Sequence, residues 1–137
     1  MEIIELSETW VDQAVELWER TGLTRPWNDP QADARKALAG TDSTILGLVH
    51  GQRLIATAMA GDDGHRGWLY YVAVDPASQG QGCGQRIVEA AAQWLRTRGT
   101  VKVQLMVRTG NDAVTQFYEK LGYERQEVSV LGKRLVP

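Results

Sequence analysis

The sequence contains few of the residues that disulfide frameworks and metal sites need. It has one cysteine, Cys83, and two histidines, His50 and His65, which lie apart along the chain. A lone cysteine excludes an internal disulfide and is typical of a cytoplasmic protein. Because no histidine or cysteine has a neighbour at metal-ligand spacing, we expect no bound metal.

The chain also lacks long apolar runs and an excess of charge of one sign. No stretch is long enough to cross a membrane, and the acidic first residues do not resemble a targeting peptide. The 137 residues carry a net charge of −2 with both signs interspersed. This balance indicates neither nucleic acid nor membrane as a partner. The length and hydrophobic content predict a single domain, residues 1–137, with a real core.

Apolar periodicity predicts alternating strands and helices. A strand at 2–6 precedes a helix that Ser7 or Thr9 could cap, and Asp29 followed by Pro30 predicts the start of a second helix. Segments 44–50 and 53–60 predict a hairpin, with Gly51 at the first position of a type II′ turn. Further strands are expected at 68–74, 101–107, 123–128 and 130–136, with helices beginning near Gln85 and after Asn111.

This order of elements predicts an α/β fold of mixed α+β type. We expect a mixed, largely antiparallel sheet of six to seven strands, flanked by about four helices on both faces. The strands before and after the third helix should be parallel, because a helical crossover joins them.

The stretch from Val72 to Gln85 carries the clearest functional signal. An apolar strand ends at Pro76, glycines occupy positions 80, 82 and 84, and helical periodicity begins at Gln85. Such a loop points backbone N–H groups and the positive end of the helix dipole at one spot, which predicts a pyrophosphate cradle. The alternative is a connection whose glycines only turn the chain. Two other phosphate sites are excluded, because no Gly-Lys-Ser/Thr is present and Gln85 replaces the last glycine of the dinucleotide fingerprint.

Two motifs resemble those of the GNAT superfamily of acetyl-CoA-dependent N-acetyltransferases. Residues 79–84 are similar to its Gln/Arg-x-x-Gly-x-Gly/Ala motif, and the segment from Asn111 to Tyr123 is similar to its second motif. Segments 25–30, 63–67 and 131–135 further resemble the small bacterial acetyltransferases of the YpeA type. The resemblance covers the whole chain in element order.

The resemblance implies acetyl-CoA as co-substrate. The pyrophosphate would lie on the backbone of Gln79, Gly80, Gln81, Gly82, Cys83, Gly84 and Gln85. The pantetheine arm would pair with the edge of the strand Val72, Ala73, Val74 and contact Asn111, Phe117 and Tyr118. Tyr118 would also protonate the departing thiolate. By spacing alone, Tyr118 is equally a core aromatic, Asn111 a helix cap, and Cys83 either an activated thiol or a small apolar filler.

The acceptor side is less defined. Acetyltransferases of protein N-termini often carry a glutamate where Met106 stands, so the proton acceptor must lie elsewhere. Asp63 and His65 are the first candidates, Asp29 and Asp62 are others, and a relayed water is the alternative. The family resemblance implies that Trp27, Asn28 and Asp29 face the acceptor together with Met106.

Taken together, the residues and the resemblance predict a cytoplasmic acyltransferase. It would transfer an acetyl group directly from acetyl-CoA to a primary amine of a small molecule or peptide, without a covalent intermediate. Two alternatives remain open: an N-terminal acetyltransferase of the ribosomal-protein type, and a CoA-binding sensor or interaction module without turnover. A homodimer is also left open as the assembly.

Overall fold

The computed structural model describes all residues, Met1–Pro137, and they divide into two compact units. Unit 1 comprises Met1–Leu105 and unit 2 comprises Met106–Pro137. Unit 1 holds the sheet and three helices, whereas unit 2 holds one helix and the C-terminal segment. That the two units act as one domain stays a prediction.

Unit 1 is built on a five-stranded sheet whose spatial order follows the chain. All neighbouring strands are antiparallel except the fourth and fifth, which are parallel as predicted. The sheet has five strands, so the expected number of six to seven is wrong. In chain order the elements are β1 (Glu2–Glu5), α1 (Val11–Arg20), α2 (Pro30–Ala39), β2 (Ser43–His50), β3 (Arg53–Asp62), β4 (Gly67–Val74), α3 (Cys83–Thr97) and β5 (Val103–Gln104).

Helices cover both faces of the sheet, as predicted. Buried residues of α1 and α2 form one apolar cluster with Ile45 of β2, Leu54 of β3 and Ala73 of β4. Because side chains alternate along a strand, the buried neighbour Leu46 points to the other face. There α3 packs against β2, β3 and β4 with its own buried stripe, Ile87, Val88, Ala91 and Leu95.

Local capping explains one helix start and fails for another. The Asp29 side chain accepts the Ala32 N–H at 3.0 Å, which confirms the predicted start of α2. The cap predicted at Ser7 or Thr9 is wrong, because a short 3-10 turn (Glu8–Trp10) comes first and no side chain caps α1. The hydroxyls of Ser7 and Thr9 bond each other at 2.9 Å instead.

The predicted β2–β3 hairpin is confirmed. His50 pairs with Arg53, so only Gly51 and Gln52 form the turn. Gly51 has a φ of +62°, and Gln52 is not among the residues with positive φ. A type II′ turn needs positive φ at its first central residue alone, which this turn satisfies.

Unit 2 contains α4 (Asp112–Lys120) and no strand. The strands predicted at 123–128 and 130–136 are therefore wrong. Val128, Leu131 and Leu135 are 73%, 93% and 89% exposed. Alternating apolar residues stabilise a strand only where a neighbouring strand bonds it and one face is covered. Likewise β5 spans two residues and not the seven expected at 101–107, because its pairing with β4 ends at Gln104.

Candidate active site

The connection from β4 to α3 contains the predicted phosphate loop. After a short 3-10 turn (Pro76–Ser78), Gly80 and Gly82 take positive φ angles of 81° and 77°. A Cβ at either glycine would meet no atom within 4 Å, so the space beside the loop is open. The Arg86 N–H bonds the Gly82 carbonyl at the start of α3. The N–H groups that precede it lie outside the helical ladder and can face an anion.

Cys83 is the first residue of α3 and is 3% exposed. It is buried like the apolar stripe of the same helix, Ile87, Val88, Ala91 and Leu95. Its backbone belongs to the phosphate loop, whereas its side chain has the burial expected of an apolar filler.

Asp75 anchors the start of the loop. One carboxylate oxygen accepts the Ala77 N–H at 3.0 Å, and the other accepts from Arg53 at 2.9 Å and from Arg20 at 3.3 Å. The Asp75 N–H donates to the Ile55 carbonyl at 2.8 Å. The Ala77 N–H and then the Arg53 guanidinium hold the pKa of Asp75 below its usual range. This buried carboxylate therefore ties the loop to α1 and β3.

A β-bulge interrupts β4 halfway along its length. The register against β3 shifts between Thr57 and Met59, so that Tyr71 and Val72 together face Ala58. Tyr71 has a φ of +49° and is the only residue other than glycine with positive φ. Such a backbone conformation costs a residue with a side chain roughly 1–2 kcal/mol.

The opposite edge of β4 is only partly paired. The ladder with β5 ends where Trp68 lies opposite Gln104, whereas β4 continues to Val74. The segment Val72, Ala73, Val74 therefore has no strand on its β5 side. An unpaired edge offers backbone donors and acceptors to an extended ligand.

Side chains from three elements hold the bulge at Tyr71. Its ring stacks on Trp18 with centroids 3.9 Å apart, and its carbonyl accepts the Thr57 hydroxyl at 2.8 Å. The same Thr57 oxygen accepts Trp18 Nε1–H at 2.8 Å. The Tyr71 hydroxyl donates to Asp33 at 2.7 Å. Burial, followed by the hydrogen bond to Asp33, raises the pKa of Tyr71.

The loop between β3 and β4 contains the predicted proton acceptors. Asp63 accepts the N–H groups of His65 and Arg66 at 2.9 and 2.7 Å and Trp68 Nε1–H at 3.2 Å. The Arg66 N–H, followed by that of His65, keeps the pKa of Asp63 below its usual range. This loop precedes Gly67, at the end of β4 that pairs with β5. It thus lies at the opposite end of β4 from the phosphate loop.

The segment predicted to face the acceptor connects α1 to α2. Trp27 is 57% exposed, the Asn28 N–H bonds the Arg25 carbonyl at 3.0 Å, and Asp29 caps α2. These bonds order the chain directly before the helix that carries Asp33.

Unit 2 contains the remaining predicted residues. The Tyr118 ring is 8% exposed and meets Phe117 and Tyr123 edge-on, with centroids 5.0 and 5.5 Å away. Burial raises the pKa of Tyr118 to about 12, so its hydroxyl keeps its proton at neutral pH. The Asn111 side chain accepts the N–H at position 114 at 3.4 Å, which confirms it as a helix cap. Met106 is 52% exposed.

Asp75, Tyr71 and Asp33 were not among the predicted site residues. Asp75 had a detectable signal, because an aspartate before Pro76 is typical of a side chain that caps a turn. Tyr71 and Asp33 had none. They lie 38 residues apart, and the bulge falls inside an apolar run. The apolar pattern does not show that β4 has one residue more than β3 at this point.

Known proteins resemble this chain over its whole length. The sequence model of the Acetyltransferase (GNAT) family matches residues 5–123. An acetyltransferase of Pectobacterium atrosepticum is 41% identical over 137 residues, covering 99% of this chain and 96% of that protein. An acetyltransferase of Yersinia enterocolitica is 38% identical over 136 residues with the same coverage.

A solved structure matches the fold. The aminoglycoside N-acetyltransferase AAC(6')-Iy, in complex with CoA, has a TM-score of 0.84. The match covers 98% of this chain and 95% of that one, at 16% identity.

The chain therefore belongs to the GNAT acetyltransferase family. Both the resemblance inferred from the motifs and the prediction of an enzyme, an acyltransferase, are confirmed. None of the helices combines the length and apolar character that crossing a membrane requires. No group of three or more His, Cys, Asp or Glu side chains could hold a metal ion.

Asp75→Asn tests the loop anchor. The variant keeps an acceptor for the Ala77 N–H but loses the charge that holds two guanidinium groups, so we expect a loss of about 1–3 kcal/mol in the free energy of unfolding at pH 7. The folded-state pKa of Asp75 is lowered. Its stabilisation is therefore present above the ordinary pKa of 3.8 and lost as the pH falls through the folded value.

Urea unfolding at neutral pH and in strong acid measures this difference. Wild type and Asp75→Asn should differ at neutral pH and converge in acid. Asp42→Asn is the matched control, because Asp42 is 74% exposed and its ion pair with Arg98 is long, at 3.4 Å. Such an exposed pair contributes little to stability. An Asp75→Asn effect that is equally large in acid would contradict the anchor.

Proposed function

We propose that this protein is an acetyl-CoA-dependent N-acetyltransferase that transfers the acetyl group directly to a primary amine. The observation that carries the proposal is the β4–α3 connection, where two glycines with positive φ precede a helix N-terminus. The fold it shares with an N-acetyltransferase crystallised with CoA supports this reading. We also propose that residues 1–137 act as one domain, because the family match spans residues of both units.

The phosphate loop is the proposed site for the pyrophosphate of CoA. At Gly80 and Gly82 the left-handed backbone can turn successive N–H groups to one side, and the missing side chains permit close approach. The α3 dipole adds positive potential at the same place. The backbone groups involved are those of Gln79, Gly80, Gln81, Gly82, Cys83, Gly84 and Gln85.

The unpaired edge of β4 is the proposed site for the pantetheine arm. Val72, Ala73 and Val74 would bond it as a further strand, with Asn111 and Phe117 as side-chain contacts. At the bulge, backbone N–H groups leave the regular ladder with β3. One such N–H can polarise the thioester carbonyl, a contact typically worth about 3–4 kcal/mol in the barrier.

The reaction needs two proton transfers besides the exchange of a C–S bond for a C–N bond. The attacking amine must lose a proton, and the departing thiolate must gain one. Tyr118 is the proposed donor to the thiolate, because it lies in the segment that resembles the second family motif and its hydroxyl is protonated at neutral pH. Burial raises its pKa to about 12, which makes it a weaker acid than a free tyrosine. Asp63, His65 or a relayed water are the proposed acceptors. The lowered pKa of Asp63 makes it a weaker base than an ordinary aspartate.

The proposed acceptor is a primary amine of a small molecule or peptide in the cytoplasm. An aminoglycoside, the acceptor class in the name of the structural relative, is one such amine. The proposed acceptor contacts are the exposed Trp27 ring, Asn28 and Asp29 in unit 1 and the exposed Met106 in unit 2. The net charge of −2 gives no support to a nucleic-acid partner.

Gly82→Asp tests the phosphate loop, with Gly82→Asn as its matched control. Both side chains tolerate the left-handed conformation and suit a helix N-cap, so the fold should survive. Only aspartate adds a negative charge where the pyrophosphate would lie. Calorimetric titration with CoA should show at least ~10-fold weaker binding to the aspartate variant than to the asparagine variant. Equal affinities would refute the loop assignment.

Tyr118→Phe tests the proton donor, because it keeps the ring and its packing. Removing a general acid should lower kcat by ~10²–10⁴-fold and leave the Kd for acetyl-CoA unchanged. Single-turnover measurements at saturating substrates isolate the chemical step. Tyr123→Phe removes a hydroxyl from the ring beside Tyr118 and should leave kcat unchanged. If both variants react like wild type, Tyr118 is a core aromatic only.

His65→Gln tests the proton acceptor through the pKa of the amine. An alkylamine of pKa ~10.4 is far more protonated at pH 7 than an α-amine of pKa ~7.7–8.0, and so depends more on a base. The variant should therefore lower kcat/KM more for the alkylamine. The same selective loss in Asp63→Asn would identify Asp63 as the acceptor. Equal losses for the two amines in both variants would leave the water relay. In the same assay Trp27→Ala should raise the KM of the amine alone.

A further inference from the structure

Tyr71 takes a backbone conformation that favours glycine. Its φ of +49° occurs at the β4 bulge, directly before the segment Val72, Ala73, Val74 that we propose to bind the pantetheine arm. Non-glycine residues in this region persist only where their surroundings over-determine them, and they cluster at functional sites. What holds Tyr71 in place therefore matters for the function of the bulge.

Four residues form what we call the Tyr71 clamp: Trp18, Thr57, Tyr71 and Asp33. Trp18 and Thr57 are 0% exposed, and they hold the ring and the carbonyl of Tyr71 from inside the core. Both would be required for packing whatever the protein does. Their role in the bulge cannot be separated from their role in folding.

Asp33 is different, because it is half-buried on α2 and core packing does not require a carboxylate there. Its oxygen accepts the Tyr71 hydroxyl at 2.7 Å, a normal length for an O–H···O hydrogen bond. The raised pKa of Tyr71 keeps this donor protonated at neutral pH. The bond thus joins β4 to α2.

The position of Asp33 in α2 links the clamp to the acceptor side. Its N–H bonds the Asp29 carbonyl at 2.9 Å, so it lies one helical turn after the segment Trp27, Asn28, Asp29. We propose that Asp33 is a positioning residue, which holds the β4 bulge in register with the acceptor segment by accepting the Tyr71 hydroxyl. This inference rests on the proposed function of β4 and the acceptor segment.

Three single variants separate the hydrogen bond from the charge. Asp33→Ala removes the acceptor, Tyr71→Phe removes the donor, and Asp33→Asn keeps an oxygen acceptor without the charge. Glu8→Gln is the matched control, because Glu8 is an exposed acid that pairs with Arg35 of the same helix. The double variant Asp33→Ala/Tyr71→Phe tests whether the two groups act through one bond.

Steady-state kinetics and CoA titration give the first readout. We expect Asp33→Ala and Tyr71→Phe each to lower kcat by ~10–100-fold, the effect of slightly misplaced reactants, while the Kd for CoA stays unchanged. The kcat of the double variant should be no lower than that of the less active single variant. Asp33→Asn and Glu8→Gln should keep kcat near that of wild type.

Amide hydrogen exchange gives a second readout that needs no activity. Exchange at positions 71–73 should accelerate in Asp33→Ala and Tyr71→Phe, and not in Asp33→Asn or Glu8→Gln. Equal exchange in all proteins would overturn the clamp itself. Unchanged kcat in Asp33→Ala and Tyr71→Phe would overturn its role in positioning.

Two further results have distinct meanings. If Asp33→Asn loses as much kcat as Asp33→Ala, the charge of the carboxylate acts on the substrate, and the positioning role is overturned. If wild type neither binds CoA nor releases thiol from acetyl-CoA with any amine, the proposed function fails. Hydrogen exchange would still decide whether Asp33 holds the bulge.

Discussion

The structure of unit 1 depends on an asymmetry of β4, which is bonded along β3 on one edge and left without a strand beyond Trp68 on the other. A strand with one open edge ordinarily invites unwanted pairing. In our proposal the same backbone groups bind the pantetheine arm, and the chain passes from Val74 through a short turn to the glycines proposed to bind the pyrophosphate. Edge and loop would then serve one long ligand.

Irregular backbone at both ends of this edge is held by buried polar groups. Tyr71 at the bulge bonds Thr57 and Asp33, and Asp75 after the strand bonds Arg20 and Arg53. In both cases the partners come from the helices on one face and from β3. A buried polar atom without a hydrogen-bond partner destabilises the fold, and each of these side chains has partners. Rigid support of this kind is what a site needs to align two reactants.

The local structure of the candidate site could largely be predicted because its signals are local. The glycines before α3, the aspartate before α2 and the asparagine before α4 act on their own neighbours, so their roles follow from short-range geometry. The alternation of strands and helices likewise implied the parallel pair β4–β5, since a crossover leaves no other arrangement. The family resemblance rested on the same local motifs.

The sequence by itself therefore determined the order of elements as far as α4, the glycine turn before α3 and the helix starts that side-chain caps define. Tertiary structure alone decided the features that depend on residues far apart. It left 123–136 without strands, because an apolar alternation cannot show whether a neighbouring strand is present. It also brought Asp33 to Tyr71 across 38 residues. Hydrogen bonds at such a distance form only after the sheet and helices have packed.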